Sequence, residues 1–250
     1  DFTQRLPRLI KFYQRDSMNY AKHIFDIQAE YTTTQEEDGS GSGAIVATLR
    51  TIDNAPIYYT LDGTEPTTAS EQYNGTGIVI RQSADLRAVA IRPEGKSKVT
   101  EKSFYINKAT FCPIELTGTQ PTPKYAFKGA TALVDGMSGI DNYATGEGIG
   151  FLDGDVTAVI DLGASNGNTA GKTVAELPEI KHVSTHAVID MGAWVAGCTG
   201  LTVSVSDDNK SFREVAAKEF PVEMDSRKKT VANYEVTFEP VKARYVKVLI

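Results

Sequence analysis

Apolar residues recur along this chain in two different rhythms, and the change between them divides it. Near the start, Phe2, Leu6, Leu9, Ile10 and Tyr13 come every three or four residues, the spacing of one face of an amphipathic helix. Pro7 suits a helix only close to its beginning. From residue 44 the rhythm shortens to brief runs rich in Val, Ile, Tyr and Thr, separated by turn residues. Strands are predicted over 44–49, 56–61, 77–80, 86–91 and 99–106, with Asp62-Gly63 turning the chain after the second. A second, larger series is predicted over 157–162, 180–189, 201–206, 234–238 and 244–250.

The joints between these runs are polar. Residues 35–43 form a glycine- and serine-rich tip with no reason to fold. The loops over 135–155 and 163–178 are long and rich in Gly, Asp and Asn, and loops of that length in a compact β domain are usually functional. No long helix interrupts the strands. The pattern therefore predicts an all-β chain of two consecutive β-sandwiches behind a short N-terminal helix. Its segments are a helical tail at 1–27, a small sandwich at 28–107 and a larger one at 108–250.

Composition narrows the partners. The chain has 250 residues, of which 41% are hydrophobic and 23% charged, an ordinary globular balance. Its net charge of -6 and pI near 5.2 speak against a nucleic-acid partner, which needs clustered Lys and Arg. The run Arg227-Lys228-Lys229 reads as a solvated turn. No stretch approaches the roughly 18 apolar residues of a membrane span. Cys112 and Cys198 are too few for a disulfide scaffold; they either pair or stay buried as thiols.

Three motifs invite chemistry and do not carry it. The stretch 167–173 has a Gly-Lys-Thr end but one residue too few before it for a phosphate-binding loop. His182 and His186 are four apart, which on a helix would make a metal pair. Their segment alternates like a strand, which puts both on one face about 13 Å apart. His23 has no recognisable partner. The loop acids Asp135, Asp141, Glu147, Asp153, Asp155 and Asp190 read as turn formers or calcium ligands rather than a hydrolytic pair.

Several stretches together resemble the C-terminal half of bacterial β-N-acetylhexosaminidases of glycoside hydrolase family 20. Met18-Asn19-Tyr20-Ala21 with Phe25-Asp26-Ile27 is similar to the last helix of that catalytic barrel and its exit. The run from Pro56 to Thr67, with Leu86-Arg87-Ala88-Val89-Ala90 and the stretch 95–104, resembles the chitobiase/β-hexosaminidase C-terminal domain, an immunoglobulin-like sandwich. Gly129-Ala130, Leu133-Val134-Asp135-Gly136, Gly150-Phe151 and Ile160-Asp161-Leu162-Gly163 resemble a factor five/eight type C, or discoidin, jelly roll. The later stretches 203–208 and 243–248 fit the same pattern. Such domains include the family 32 carbohydrate-binding modules.

The resemblance implies a non-catalytic accessory region of a secreted, periplasmic or cell-surface glycosidase. Its partners would be glycans ending in galactose or N-acetylhexosamine, and the upstream catalytic barrel of the same polypeptide. Alternatives are domains that only stabilise that barrel, or a protein or surface adhesion module. The Asp-Glu dipeptide of the barrel's catalytic signature, in that order, occurs nowhere in the sequence. Discoidin domains usually continue beyond a strand such as 243–250, so the jelly roll reads as truncated or atypical.

A sugar site needs an aromatic face and short polar groups on loops at one end of the sandwich. Tyr143 and Trp194 are the aromatic candidates, with Glu147, Asp153, His186 and Asp190 as hydroxyl partners. Trp194 has a second reading, as a core plug between the sheets. The resemblance also implies a structural calcium held by Asp135, with Asp141 behind it; oxygen ligands suit that hard cation. Incubated alone with a chromogenic N-acetylglucosaminide, the chain is expected to leave it intact; measurable hydrolysis would overturn the non-catalytic assignment.

Overall fold

The computed structural model describes residues 2–15, 25–35, 43–93, 95–137, 139, 148–152, 154–163 and 177–250. The polar tip over 36–42 and the loop over 167–173 lie outside them, as does His23. The chain divides into two compact units, Asp1–Thr34 with Ala44–Phe104, and Gln35–Gly43 with Tyr105–Ile250. Apart from α1 (Phe2–Arg15) and short 3₁₀ turns, the described chain is all-β. In α1 the Arg15 guanidinium lies 4.7 Å from the centre of the Phe12 ring.

The smaller unit holds β1 (Gln28–Gln35), β2 (Gly43–Arg50), β3 (Ile57–Thr60), β4 (Glu71–Gln72), β5 (Ile78–Ile80), β6 (Ala84–Arg92), β7 (Gly95–Lys96) and β8 (Thr100–Phe104). One sheet runs β1-β2-β5 and the other β4-β3-β6-β7, with β8 also paired to β6. Alternation decides what is inside. Ile45 and Ala47 on β2, Ile78 and Ile80 on β5, Ile57 on β3 and Leu86 and Ala88 on β6 are buried, together with Phe104. Asp62-Gly63 turns the chain as its residue types predict. Gly63 adopts φ +77°, and the Asp62 carboxylate accepts the Thr64 N–H at 3.0 Å.

A charged clamp holds the edge of this core. The Arg92 guanidinium donates to both carboxylate oxygens of Asp53, at 2.7 and 2.8 Å, and to the Phe25 carbonyl at 3.0 Å. Those hydrogen bonds hold the Asp53 carboxyl below its ordinary value of 3.8.

The larger unit holds β9 (Ile114–Gly118), β10 (Val156–Asp161), β11 (Glu179–Asp190), β12 (Gly200–Ser206), β13 (Arg213–Glu219), β14 (Lys229–Lys242) and β15 (Tyr245–Leu249). Five strands form one antiparallel sheet in the order β13-β12-β15-β10-β9, and β11 pairs with β14 in a second. Leu201, Val203, Val205, Val246 and Val248 from the first meet Ile180, Tyr234 and Val236 from the second in one core. Two apolar faces closed on each other make a sandwich. Cys112 and Cys198 belong to this core and neither forms a disulfide. Their thiols donate to the carbonyls of Lys108 and Gly200, and burial pushes the Cys198 thiol up.

Each predicted strand forms, most with ends shifted by a residue or two; the one predicted over 234–238 is far longer, running over Lys229–Lys242. The longer strands that the pattern missed, β1, β9 and β13, all lie at sheet edges. Their sequences, such as QAEYTTTQ and REVAAKE, are polar because an edge strand has less surface to bury.

A stability test follows from the Asp53 clamp. Because the folded value lies below the unfolded one, the clamp stabilises fully above about pH 4 and is lost as pH falls through the folded value. Asp53→Asn is expected to cost about 1–2 kcal/mol at neutral pH. Thermal unfolding followed against pH should show this difference closing on acidification; a difference independent of pH would contradict it.

Candidate functional site

The register of the five-stranded sheet gathers three connections at one end of the larger unit. Leu249, near the end of β15, sits between Thr157 at the start of β10 and Thr202 at the start of β12. Thr157 in turn faces Thr117 at the end of β9, and Gly200 faces Glu219 at the end of β13. The stretches 119–155, 191–199 and 220–228 therefore leave and rejoin the sandwich at this end. Opposite it, the Arg244 fork holds Asp161 at 2.9 and 2.8 Å.

The 191–199 connection is built tightly. Asp190 and Val195 exchange both backbone hydrogen bonds, at 2.9 and 3.0 Å, and close a short loop. The Met191 N–H donates to the Lys228 carbonyl and the Phe220 N–H to the Thr199 carbonyl, so this loop is stitched to 220–228 at both ends. Beneath it, the buried Tyr234 hydroxyl accepts the Cys198 N–H. The Tyr234 ring stands edge-on to Phe220, with centroids 4.9 Å apart. Gly197 makes this possible: a Cβ there would collide with the Tyr234 hydroxyl.

Trp194 stands on this loop with 93% of its surface exposed, which removes the reading as a core plug. Its backbone is left-handed, at φ 60° and ψ 28°, a conformation that costs a bulky residue about 1–2 kcal/mol. The ring also forgoes the roughly 1.5–3 kcal/mol that burying a large apolar side chain contributes. Met224, 81% exposed, and Val222, 62% exposed, lie on the adjoining 220–228 connection. Leu152, 78% exposed, lies on the third. Sequence reasoning missed these three, because a single apolar residue in a polar loop carries no periodic signal.

Of the predicted polar partners, Asp190 is at the base of the Trp194 loop, its carboxylate 3.5 Å from the Lys229 ammonium. His186 is elsewhere. It lies four residues back along β11, about 13 Å away at strand spacing, and its ring stacks on Tyr105 with centroids 5.4 Å apart. His182, on the same outer face, meets Glu235 at 3.3 Å, so the two histidines do not form a pair. Tyr143, Glu147 and Asp153 lie outside the described residues. The stem that leads towards them is ordered: Thr122 N–H donates to the Gly150 carbonyl and Gly150 N–H to the Tyr125 carbonyl.

Asp135 is buried. Its carboxylate accepts the Met137 N–H at 2.9 Å and faces the Lys128 ammonium at 3.4 Å. Asp141 lies outside the described residues. Among the described residues no group of three His, Cys, Asp or Glu side chains is placed to hold a metal ion, so Asp135 would need backbone carbonyls or undescribed groups beside it. No described helix is long and apolar enough to cross a membrane.

The family model described as "Fn3 associated" matches residues 47–104, within the smaller unit. No curated protein matches the chain. Three solved structures are similar to parts of it. A chitosan-binding module 1 from a chitosanase/glucanase of Paenibacillus sp. IK-5 is 14% identical, over 57% of this chain and 84% of that one, with a TM-score of 0.33. The Clostridium perfringens domain CpGH89CBM32-5, in complex with GalNAc-β-1,3-galactose, is 16% identical over 54% and 82%, with a TM-score of 0.31. The C-terminal domain of a Bacteroides fragilis chitobiase is 16% identical over 58% and 83%, also at 0.31.

The packing under the Trp194 loop has a direct consequence. Gly197→Ala is expected to destabilise the larger unit by about 1–3 kcal/mol, the range for forcing a methyl into a filled core. Combining it with Tyr234→Phe, which removes the colliding oxygen, should recover part of the loss in denaturant unfolding. No recovery would mean that the collision is not the cause.

Proposed function

We propose that this chain is a non-catalytic accessory region of a sugar-processing enzyme, whose larger unit holds glycans at the end that carries Trp194. The observation that supports this is Trp194 itself. A bulky side chain kept in a left-handed backbone and almost wholly in water lowers the stability of the free protein, and backbone strain of this kind clusters at ligand sites. A flat, rigid indole offers its face to the C–H side of a pyranose and loses little side-chain entropy on binding. Asp190 and Lys229, paired at the base of its loop, offer hydrogen bonds of both senses to ring hydroxyls. Preorganisation comes from below, where Tyr234 and the paired loop ends hold the platform.

The finer reading rests on the sequence motifs. It makes the parent a β-N-acetylhexosaminidase of secreted, periplasmic or cell-surface location. Residues 1–27 are then the tail of its catalytic barrel, 28–107 an immunoglobulin-like domain and 108–250 a discoidin-like jelly roll. Glycans ending in galactose or N-acetylhexosamine are the ligands, and Tyr143, Glu147 and Asp153 join Trp194 and Asp190 in the candidate set. His186 is a weaker member, because of its distance along β11. A structural calcium belongs to the same reading, with Asp135 supplying carboxylate oxygen in place of its contact to Lys128.

Trp194 is the only tryptophan, so its fluorescence reports on the site alone. The free protein should emit like an indole in water, and bound glycan should shift the emission to the blue. Trp194→Ala should weaken binding at least tenfold on a glycan array while changing stability by less than about 0.5 kcal/mol. Silence of the wild type against every glycan on the array would leave only a structural or adhesive role.

A further inference from the structure

The smaller unit carries a groove that neither the strand pattern nor the Trp194 site accounts for. It has a volume of about 190 Å³ and is lined by residues of β3, β4 and β5 and the turn between the last two, chiefly Tyr59, Glu71, Gln72, Tyr73 and Asn74. Leu61, Ile78 and Val79 complete its apolar wall, with Val79 55% exposed at the rim. Tyr59 and Glu71 are cross-strand partners, and the Tyr59 hydroxyl donates to the Glu71 carboxylate. Burial, then that hydrogen bond and the carboxylate charge, push the Tyr59 phenol up to about 12. It therefore remains a neutral donor at any physiological pH.

Two polar groups in this wall are uncommitted. The Tyr73 hydroxyl is withdrawn from solvent and has no hydrogen-bond partner among the described residues. Such groups are uncommon in native proteins, and each calls for an explanation. Asn74 accepts the Thr76 N–H at 2.9 Å and the Thr76 hydroxyl at 2.7 Å through its carbonyl oxygen, which leaves its NH₂ to donate elsewhere. The wall thus presents acceptors in Glu71, donors in Asn74, and groups of both kinds in Gln72, while the Tyr73 hydroxyl is closed off behind them. An ammonium ligand, which only donates, would leave the amide donors unmatched. A ring of hydroxyls both donates and accepts, and its C–H faces suit the tyrosine rings and Val79. The volume is below the 300–1,000 Å³ or so of a drug-sized pocket, which favours one sugar ring over an extended chain.

We propose that this groove holds a single pyranose unit of a neutral glycan, as a second sugar contact carried by the smaller unit. The inference is independent of the Trp194 site, since the two lie on separate units and need different residues.

The test is amide NMR of the full chain, titrated with N-acetylglucosamine and, separately, galactose at millimolar concentrations. At least one sugar should shift the amides of residues 71–77, and Trp194→Ala should leave those shifts in place. Glu71→Gln and Gln72→Ala should each weaken that response about three- to tenfold, the loss expected for one hydrogen bond. Tyr73→Phe, whose hydroxyl is closed to the groove, should leave the titration unchanged. No shift at 71–77 with either sugar, or shifts insensitive to both Glu71→Gln and Gln72→Ala, overturns the groove. Glucosamine hydrochloride shifting these amides more strongly than N-acetylglucosamine would overturn the neutral-ligand assignment. Shifts at 71–77 without any blue shift of Trp194 would leave the groove standing apart from the Trp194 site, which the glycan array tests.

Discussion

Burial of the alternating valines on β12 and β15 is the constraint on which the larger unit depends. Val203 and Val205 on one strand and Val246 and Val248 on the next all point into a single core. A slip of one residue would turn the whole row to water, so the register of β15 between β10 and β12 is strongly determined. That register decides which connections share an end. The tryptophan loop, the 220–228 connection and the long 119–155 stretch are neighbours because the valines are buried, not because their own sequences attract one another.

From this follows a division of labour within the sandwich. One end is pinned by the Arg244 fork on Asp161, and the other carries the exposed apolar residues. Tyr234 links core to rim: its ring is packed in the core against Phe220, while its hydroxyl holds the backbone of the Trp194 loop. Gly197 is the space that contact requires. A rigid base beneath a strained, solvent-facing indole is the arrangement in which strain persists, since the surrounding structure over-determines the backbone.

The smaller unit solves a different problem with the same means. Its β4 is only two residues long, yet it sets Glu71 opposite Tyr59 and makes one wall of the groove. Charges here are kept local. Arg92 is engaged by Asp53 and Phe25, and the Lys102 ammonium lies 5.5 Å from the Tyr31 ring centre. Among the described residues, the buried side-chain polar atoms have partners at hand except the Tyr73 hydroxyl and Arg87 Nε.

Much of the fold was legible in the residues themselves. A period near two with β-branched residues marked every central strand, and a period near 3.6 marked α1, because those periods are properties of the local backbone. The absence of an Asp-Glu dipeptide was equally plain. The polar edge strands β1, β9 and β13 were invisible, since an edge position is defined by a neighbour's absence. Nor could local pattern separate Trp194 the core plug from Trp194 the exposed ring, or show that His186 turns to Tyr105 instead of towards Asp190. Those outcomes depend on which side of a strand faces the second sheet and on which distant loops share an end. Long-range pairing sets both, and only the tertiary structure contains it.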